Sequence, residues 1–346
     1  MAQHLKTKFA DKLTQEARVA SVVANRFTDE FNFVGAKTVQ VSTIVTQPLN
    51  DYKRSGDNRY GIPKELEDTM QEMTVTQDKS FAITVDKGNN EDQGNIKKTK
   101  TVLRAQMREQ VVPTQDKYVL GVLARKAGTI VKGAALTKAN IIERISDATA
   151  ALDDAEIPES GRTIWVTAEA YKYIKLSPEF EKVDKIKEKA LTEGVVGKLD
   201  NMDVIKVPKS RMPVNVNFIV GHRNSATNPI KISDTKIHKD PPGLSGDLIE
   251  GRVYYDAFVV APRAKGIYAD VSGDVLAAPT VNATSGAISG ASGATFIHTT
   301  DGSDPRYSKT AVQGNPASVT KGMVVKAYAT KAGSFDSPVT EVTITA

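Results

Sequence analysis

The sequence has no cysteine, one tryptophan and four histidines among its 346 residues. Without cysteine, the chain cannot form a disulfide, a thiolate metal site or a cysteine nucleophile. The histidines share no spacing typical of metal ligands, and the motifs HExxH, GxSxG, GxxxxGKS/T and GxGxxG are all absent. We therefore expect no enzymatic active site, no metal ion and no cofactor.

Long hydrophobic runs are also lacking. No stretch reaches the roughly 18 consecutive apolar residues of a membrane span, and the N-terminal residues contain no apolar core of signal-peptide length. The charges nearly balance, with 46 Lys and Arg against 41 Asp and Glu and a net charge of +5. These features predict a chain that is made in a cytoplasm, has no membrane partner and is not a dedicated nucleic-acid reader, although its surface can face DNA.

The C-terminal fifth of the chain differs in composition from the rest. Small residues and Pro279 indicate a boundary near Leu276 and a linker over residues 271–277. Within residues 278–346 the segments ATFIHT, MVVKAYAT and VTEVTIT alternate in apolar character with a period of two, as half-buried strands do. At TDGSDP, Asp301 and Asp304 favour a tight turn over a calcium loop, because the ligand count of such a loop is missing. We predict a small all-β sandwich here.

The first 270 residues mix helical and strand patterns, which predicts an α+β fold. An amphipathic arm places Leu5, Phe9 and Leu13 at near-helical spacing. A strand at 38–45 and a strand-like stretch at 73–86 enclose a long polar loop. Together these segments predict an extended hairpin.

The middle of the chain predicts helices and strands in alternation. One long helix is expected over about 97–127, with a kink at Pro113 and a stop at Gly128. A second helix has Thr137 as its predicted N-cap. The segment TIWVTAEAYKYI predicts a strand that leads into a helix capped by Thr167, and Trp165 in that strand is interpreted as a core residue. Further strands are predicted at DVIKVP, VNFIVGH and EGRVYYDAFVVAPRAKGIYAD.

The order of these parts, with the segments DKYVLGVLARKAG, WVTAEAY and YYDAFVVAPRAKGIYA, resembles the Hong Kong 97-like family of bacteriophage major capsid proteins over about residues 1–270. The resemblance implies a capsid core that consists of an N-arm at 1–37, an extended loop at 38–85, a peripheral domain at 86–135 and 237–270, and an axial domain at 136–236. It further implies a structural protein, not an enzyme, that assembles with itself as hexamers and pentamers into an icosahedral shell. The implied partners are packaged double-stranded DNA, bound without sequence preference, and scaffolding and portal proteins. The implied location is the virion, after assembly in the host cytoplasm.

The C-terminal segments ATFIHTTDGSDPRYS, VVKAYATKAG and SPVTEVTI are similar to the chitobiase C-terminal-like, bacterial immunoglobulin-like module, with His298 at a strand position where that pattern has tyrosine. This resemblance implies an immunoglobulin-like surface module at 278–346 that faces outward. Its implied role is surface adhesion, with a host-surface or glycan ligand.

The subunit contacts are expected on the arm and on the extended loop. The loop has too few apolar residues to pack on its own domain, so we predict that it lies on a neighbouring subunit. The predicted contact residues are Leu5, Phe9, Leu13, Lys53, Arg54, Arg59, Tyr60 and Ile62.

Two other functions compete with a viral shell. An encapsulin-type bacterial compartment shell has the same fold, but the appended surface module favours a virus. A carbohydrate-binding protein or carbohydrate-active enzyme is suggested by the C-terminal module alone. It is disfavoured because the chain shows no signal peptide, no paired-carboxylate catalytic segment and little tryptophan for sugar stacking.

Overall fold

The computed structural model describes residues 20–33, 36–44, 46, 49–63, 65, 68–92, 97–176 and 195–345. The predicted arm residues Leu5, Phe9 and Leu13 lie outside the described residues. The described helices are α1 (Lys87–Asp92), α2 (Thr99–Gln106), α3 (Val112–Arg125), α4 (Ile141–Asp154) and α5 (Ala168–Lys175). Short 3-10 turns lie at Arg223–Ser225 and Ala261–Gly266.

The strands are numbered in chain order. Those before residue 272 are β1 (Thr38–Ile44), β2 (Asp68–Thr74), β3 (Gln77–Asp86), β4 (Thr129–Lys132), β5 (Arg162–Thr167), β6 (Val195–Leu199), β7 (Met202–Val207), β8 (Val216–His222), β9 (Ala226–Thr227), β10 (Ile230–Lys239), β11 (Gly246–Tyr255), β12 (Phe258–Val259) and β13 (Ile267–Val271). Those that follow are β14 (Thr280–Val281), β15 (Ile288–Ser289), β16 (Thr295–Thr299), β17 (Val312–Gln313), β18 (Val324–Thr330) and β19 (Thr340–Thr343).

A mixed six-stranded sheet forms the centre of the molecule, in the order β4-β13-β8-β5-β7-β6. The pairs β5/β7 and β13/β4 are parallel, and the other neighbours are antiparallel. Successive side chains of β5 point to opposite faces, so Trp165 joins the core under α3 while Ile164 and Val166 join the core under α4 and α5. Because both faces are covered, the middle of β5 is apolar on both sides, as the sequence TIWVT indicated.

Trp165 confirms its predicted core role, since only 1% of its surface is exposed. Its indole N–H donates to the Val22 carbonyl at 2.9 Å, and its ring stacks on Phe27 with centroids 5.8 Å apart. The tryptophan therefore also holds the segment around residues 22–27 against the sheet.

The predicted long helix is present, but its irregularity is not the expected proline kink. A π-helical turn at Met107–Val111 joins α2 to α3, and Pro113 lies in the first turn of α3. A proline inside a helix lacks a donor, and its ring crowds the carbonyl four residues earlier, so a widened turn just before it removes the conflict. The helix ends at Arg125, and Gly128 is not its stop. Its backbone instead approaches Ala264 so closely that a Cβ would lie 2.3 Å from the Ala264 carbonyl oxygen.

One of the two predicted helix caps is wrong. Helix α4 begins at Ile141 after Asn140, and the Asn140 side chain accepts a hydrogen bond from the Thr137 N–H at 2.7 Å, so Thr137 lies before the helix. Thr167 does cap α5, because its hydroxyl accepts from the Ala170 N–H at 3.2 Å.

The predicted hairpin is present but has a different return strand. Strand β1 pairs antiparallel with β2, with Thr38 opposite Thr74 and Ile44 opposite Asp68. Strand β3 belongs to another sheet, in the order β10-β11-β3. The stretch predicted as one strand at 73–86 divides because the Asp256 carboxylate accepts from both the N–H and the hydroxyl of Thr76, at 2.8 and 2.9 Å.

The C-terminal module is all-β, as predicted. Strands β17-β16-β18-β19 form an antiparallel four-stranded sheet, and β14 pairs with β15. The module has an apolar core of its own, whose buried members are Val281, Ile288, Val325, Ala327 and Ile344.

The predicted linker at 271–277 is structured. Val271 is the last residue of β13 and is fully buried. The Phe335 N–H donates to the Asp274 carbonyl at 2.8 Å, and the Leu276 N–H donates back to the Phe335 carbonyl at 3.1 Å. The connection is therefore bound to the module that it introduces.

Candidate interaction site

The described part of the chain contains no group of three or more metal-ligating side chains placed to hold an ion. Within that part, no helix is both long and apolar enough to cross a membrane.

The loop between β1 and β2 exposes an unusual amount of apolar surface. Leu49 is 100% exposed, Tyr60 85% and Ile62 77%. The rings of Tyr52 and Tyr60 meet edge to face, with centroids 5.0 Å apart. Side chains of this size are usually buried, so this group is an exposed apolar patch of the kind found at interaction surfaces.

The loop is ordered by its own backbone contacts. The Lys53 N–H donates to the Arg59 carbonyl at 3.0 Å, and the Arg59 guanidinium donates to the Gly56 carbonyl at 3.2 Å. Gly61 has a φ of 90°, and a Cβ there would lie 2.6 Å from the Asn50 side chain, so only glycine fits this turn.

The structure places the predicted contact residues of this loop together. All five are exposed on it: Lys53, Arg54, Arg59, Tyr60 and Ile62. None of the three cations forms an ion pair within the part of the chain that the structure describes. Asp51 and Asp57 of the loop are also exposed and unpaired in the described chain, so the loop offers apolar groups and free charges of both signs.

A second candidate site is a cleft of about 990 Å³ between the hairpin base, helix α3 and the C-terminal module. Sequence reasoning missed this cleft because its walls come from five separate parts of the chain. Its lining includes the charged residues Glu72, Lys117, Arg125, Asp256 and Arg306, together with Gly121 of α3.

Asp256 organises the floor of the cleft. Its carboxylate accepts from the Tyr118 hydroxyl at 2.7 Å and from Thr76. Burial and the Asp256 carboxylate together raise the pKa of Tyr118 to about 12. The hairpin base, α3 and the end of β11 are therefore fixed to one another at this point.

The C-terminal module closes one side of the cleft by binding the end of α3. The Arg306 guanidinium donates to the carbonyls of Ala127 and Gly128 at 3.0 and 3.4 Å. The Tyr307 hydroxyl donates to the Lys126 carbonyl at 2.6 Å, and the Lys126 ammonium donates to the Arg306 carbonyl at 3.1 Å. Burial raises the pKa of Tyr307 and lowers the pKa of Lys126. We call this set of bonds the module contact.

The module also reaches the hairpin. Ser308 forms a single antiparallel bridge with Gln71 of β2, and the Lys309 ammonium lies 3.0 Å from the Glu72 carboxylate. The DGSDP turn that precedes these residues is internally bonded, since the Asp301 carboxylate accepts from the Ser303 N–H at 2.9 Å. Its carboxylates therefore serve the turn, in line with the sequence interpretation.

A buried ion pair fastens the described N-terminal segment to the long helix. The Asp116 carboxylate accepts from the Arg211 guanidinium at 2.8 Å, from the Ser21 hydroxyl at 2.7 Å and from the Val22 N–H at 3.1 Å. Burial raises the pKa of Asp116 in spite of these hydrogen bonds. Both members of the ion pair are buried, so each depends on the other.

The aromatic side chains of the module pack within its own core or against the main core. Phe296 packs into the core of the module, and Tyr328 is buried. Tyr307 and Phe335 pack against the main core. His298 is also buried, and one of its ring nitrogens lies 2.8 Å from the Gly314 carbonyl. A ligand that stacks on a free aromatic face would find none of these rings available.

Solved structures similar to this chain identify its fold. A structure from Mycobacterium phage Che8 has a TM-score of 0.63 and 20% identity, and the match covers 78% of this chain and 98% of that chain. The capsid structure of cyanophage P-SCSP1u gives 0.60 and 14%, covering 78% and 92%. The mature capsid of bacteriophage PhiM1 gives 0.56 and 13%, covering 78% and 92%. No family model matches the sequence, and no curated protein matches it. The chain therefore has the mixed α+β fold of phage capsid structures, and the share left uncovered is about the size of the C-terminal module.

Proposed function

We propose that this chain is the structural major capsid protein of a tailed bacteriophage. The observation that carries the proposal is that this chain matches phage capsid structures over nearly their whole length. The fold of a complete capsid subunit is therefore contained in this chain. In this role the protein acts by assembly and not by catalysis.

The finer architecture that we propose is Hong Kong 97-like. The hairpin β1–β2 with its loop is the extended loop, and the long helix and the β10-β11-β3 sheet belong to the peripheral domain. Strands β5 to β8 of the central sheet, with α4 and α5, form the axial domain. Copies form hexamers and pentamers that close an icosahedral shell around double-stranded DNA. Weak contacts suffice, because symmetry repeats each of them many times.

The extended loop is proposed to lie on a neighbouring subunit. Its exposed Tyr52, Tyr60 and Ile62 would be buried there, and Arg54 and Arg59 would find carboxylates. In this arrangement the neighbouring subunit covers the apolar side chains of the loop, which are exposed to water in an isolated chain.

The C-terminal module is proposed to be immunoglobulin-like and to face outward. Scaffolding and portal proteins are the partners proposed for assembly, which takes place in the host cytoplasm and ends in the virion. A host-surface or glycan ligand remains the proposed target of the module. Since its aromatic rings are occupied, such a ligand would bind through polar groups.

Electron microscopy of the purified protein tests the proposed function. Icosahedral shells are the expected result. Packaged genomic DNA in particles from infected cells distinguishes a capsid from a bacterial compartment shell. A protein that stays monomeric at high concentration, even with its phage's other head proteins, would contradict the proposal.

Charge reversal in the extended loop tests the subunit contact. The double variant Arg54→Glu with Arg59→Glu is expected to impair shell formation while leaving the melting temperature of the monomer nearly unchanged, because neither side chain has an ion-pair partner in its own described chain. The matched control is Lys321→Glu with Lys331→Glu in the C-terminal module, which makes the same change of charge. Normal shells from the loop variant would remove the loop from the assembly contacts.

A further inference from the structure

One face of helix α3 is turned toward the cleft and carries two cations. Lys117 and Arg125 lie eight residues apart, with Gly121 midway between them, so the three share one side of the helix. Both cations are exposed, and neither forms an ion pair within the described ranges of the chain. The helix thus presents two free positive charges about two turns apart.

Gly121 is unexpected at the centre of this face. Glycine is among the least favourable residues in a helix interior, and the packing of this chain does not require it here. A Cβ built at Gly121 would have no atom within 4 Å. What glycine does provide is room for another backbone or side chain to approach the helix closely.

Both carboxylates that line the cleft have partners within the chain. Glu72 is bonded to Lys309, and Asp256 accepts from Tyr118 and Thr76. The free charge of the cleft is therefore positive. Its volume of about 990 Å³ is at the upper end of the roughly 300–1,000 Å³ typical of ligand pockets, which leaves space for a short peptide.

We propose that this cleft binds an extended acidic segment of a different protein, with two carboxylates four residues apart and a small apolar residue between them. Lys117 and Arg125 are separated by a rise of about 12 Å along the helix, since each residue adds about 1.5 Å. In an extended chain, residues i and i+4 point to the same side and lie about 13 Å apart, at about 3.3 Å per residue. The middle side chain, at i+2, then sits over Gly121.

A second copy of this chain fits the cleft less well. The described exposed strand with this pattern is β2, where Asp68, Met70 and Glu72 alternate on one side. That strand is paired with β1 along its whole length and Gln71 bridges Ser308, so it is not a free extended segment that can enter the cleft of a neighbour. The occupant is therefore assigned to another polypeptide.

Fluorescence anisotropy with the full chain tests the proposal. The probe is a labelled peptide of sequence GETVTEG, and its counterpart GKTVTKG carries the opposite charge. We expect the acidic peptide to bind and the basic one not to bind. Exposed ion pairs are screened by salt, so binding should weaken as salt is added.

Variants of the helix face locate the binding. Lys117→Glu with Arg125→Glu is expected to weaken binding of the acidic peptide about tenfold or more, and Gly121→Leu should weaken it by filling the space over the helix. The control is Lys172→Glu with Lys175→Glu on α5, which makes the same change of charge and should leave binding unchanged. Emission from Trp165 verifies that each variant is folded.

Three results would overturn the proposal. The acidic and basic peptides could bind equally, or the helix-face variants could bind as the unmodified chain does. Alternatively, sedimentation could show that Lys117→Glu with Arg125→Glu reduces self-association of the chain, which would make a second copy the occupant. The two peptide-binding results do not depend on whether the chain forms shells, so they are separate from the test of the proposed function.

Discussion

The module contact should be what holds the C-terminal module on the core, and its removal should release the module without unfolding the core. The perturbation is the double variant Arg306→Ala with Tyr307→Phe. It removes the hydrogen bonds to the carbonyls of Ala127, Gly128 and Lys126 but keeps the ring of residue 307. It also removes the ion pair of Arg306 with Asp304, which lies within the module and does not reach the core. The core of the module, around Val325 and Ala327, lies elsewhere and is left intact.

The size of the effect follows from the bonds that are lost. The hydroxyl of Tyr307 contributes about 0.5–1.5 kcal/mol, the usual net value of a neutral hydrogen bond. The Arg306 guanidinium is mostly buried, and a hydrogen bond from a charged donor contributes about 1.5–3 kcal/mol. A combined loss of about 3 kcal/mol would raise the population of the released module roughly a hundredfold, at 1.4 kcal/mol per factor of ten.

Hydrogen exchange measures this release. Amides in residues 300–310 and at the end of α3 should exchange roughly a hundredfold faster in the variant, if exchange there follows opening of the contact. Emission from Trp165 should stay unchanged, because that ring is buried in the main core. The control Lys309→Ala breaks an exposed ion pair worth about 0–1 kcal/mol and should speed exchange less than about fivefold. Unchanged exchange in the double variant would refute the reasoning and assign the attachment to Phe335 and the connection.

Further variants test the helix face and the core. Gly121→Ala should raise the melting temperature, since helix propensity improves by up to about 1 kcal/mol and no atom obstructs the new methyl group; a lower melting temperature would mean that the position is crowded. Arg211→Met should cost about 3–5 kcal/mol in denaturant unfolding, because Asp116 is left as an unpaired buried charge; a loss under 1 kcal/mol would contradict this. The raised pKa of Tyr118 stabilises the fold fully below pH 10 and loses that contribution as pH rises toward about 12. Tyr118→Phe should therefore make unfolding less sensitive to pH in that range, and an unchanged pH dependence would show that other groups control it.

Local patterns predicted the elements that depend on nearby residues. The segment VNFIVGH is strand β8, and TIWVTAEAYKYI is strand β5 followed by α5 with Thr167 as its cap. In each case burial on both sheet faces or a single capping bond leaves a direct trace in the sequence. The strands of the C-terminal module were found from a different trace, the period-two alternation that burial of a single face leaves.

The errors occur where distant residues decide the outcome. Residues 73–86 read as one strand, and only the bonds from Thr76 to Asp256, 180 positions later, divide it. The segment 271–277 reads as a flexible linker, yet Phe335 binds its backbone. Pro113 indicated an irregular helix correctly, but whether the chain kinks or forms a π turn depends on its packing.

The two candidate sites, the exposed loop and the cleft, differ in the same respect. The exposed loop was predictable, because a stretch rich in charges with few apolar residues cannot form a core by itself, and Lys53, Arg54, Arg59, Tyr60 and Ile62 do lie on it. The cleft was not predictable, because Lys117 and Arg125 look like ordinary surface residues. Gly121, a glycine inside a helical pattern, is the feature of this face that departs from an ordinary surface helix, and by itself it does not identify a partner.

The position of β13 in the central sheet has a consequence for synthesis. This strand inserts between β4, which is about 135 residues earlier in the chain, and β8, so the two edges of the sheet are joined only when residues 267–271 arrive. The 75 residues from 272 to 346 follow it. At about 5–20 residues per second, a ribosome takes about 4 to 15 s to add them. The sheet can therefore close while the chain is still being translated, so each polypeptide can leave the ribosome with its central sheet already formed before it meets another copy.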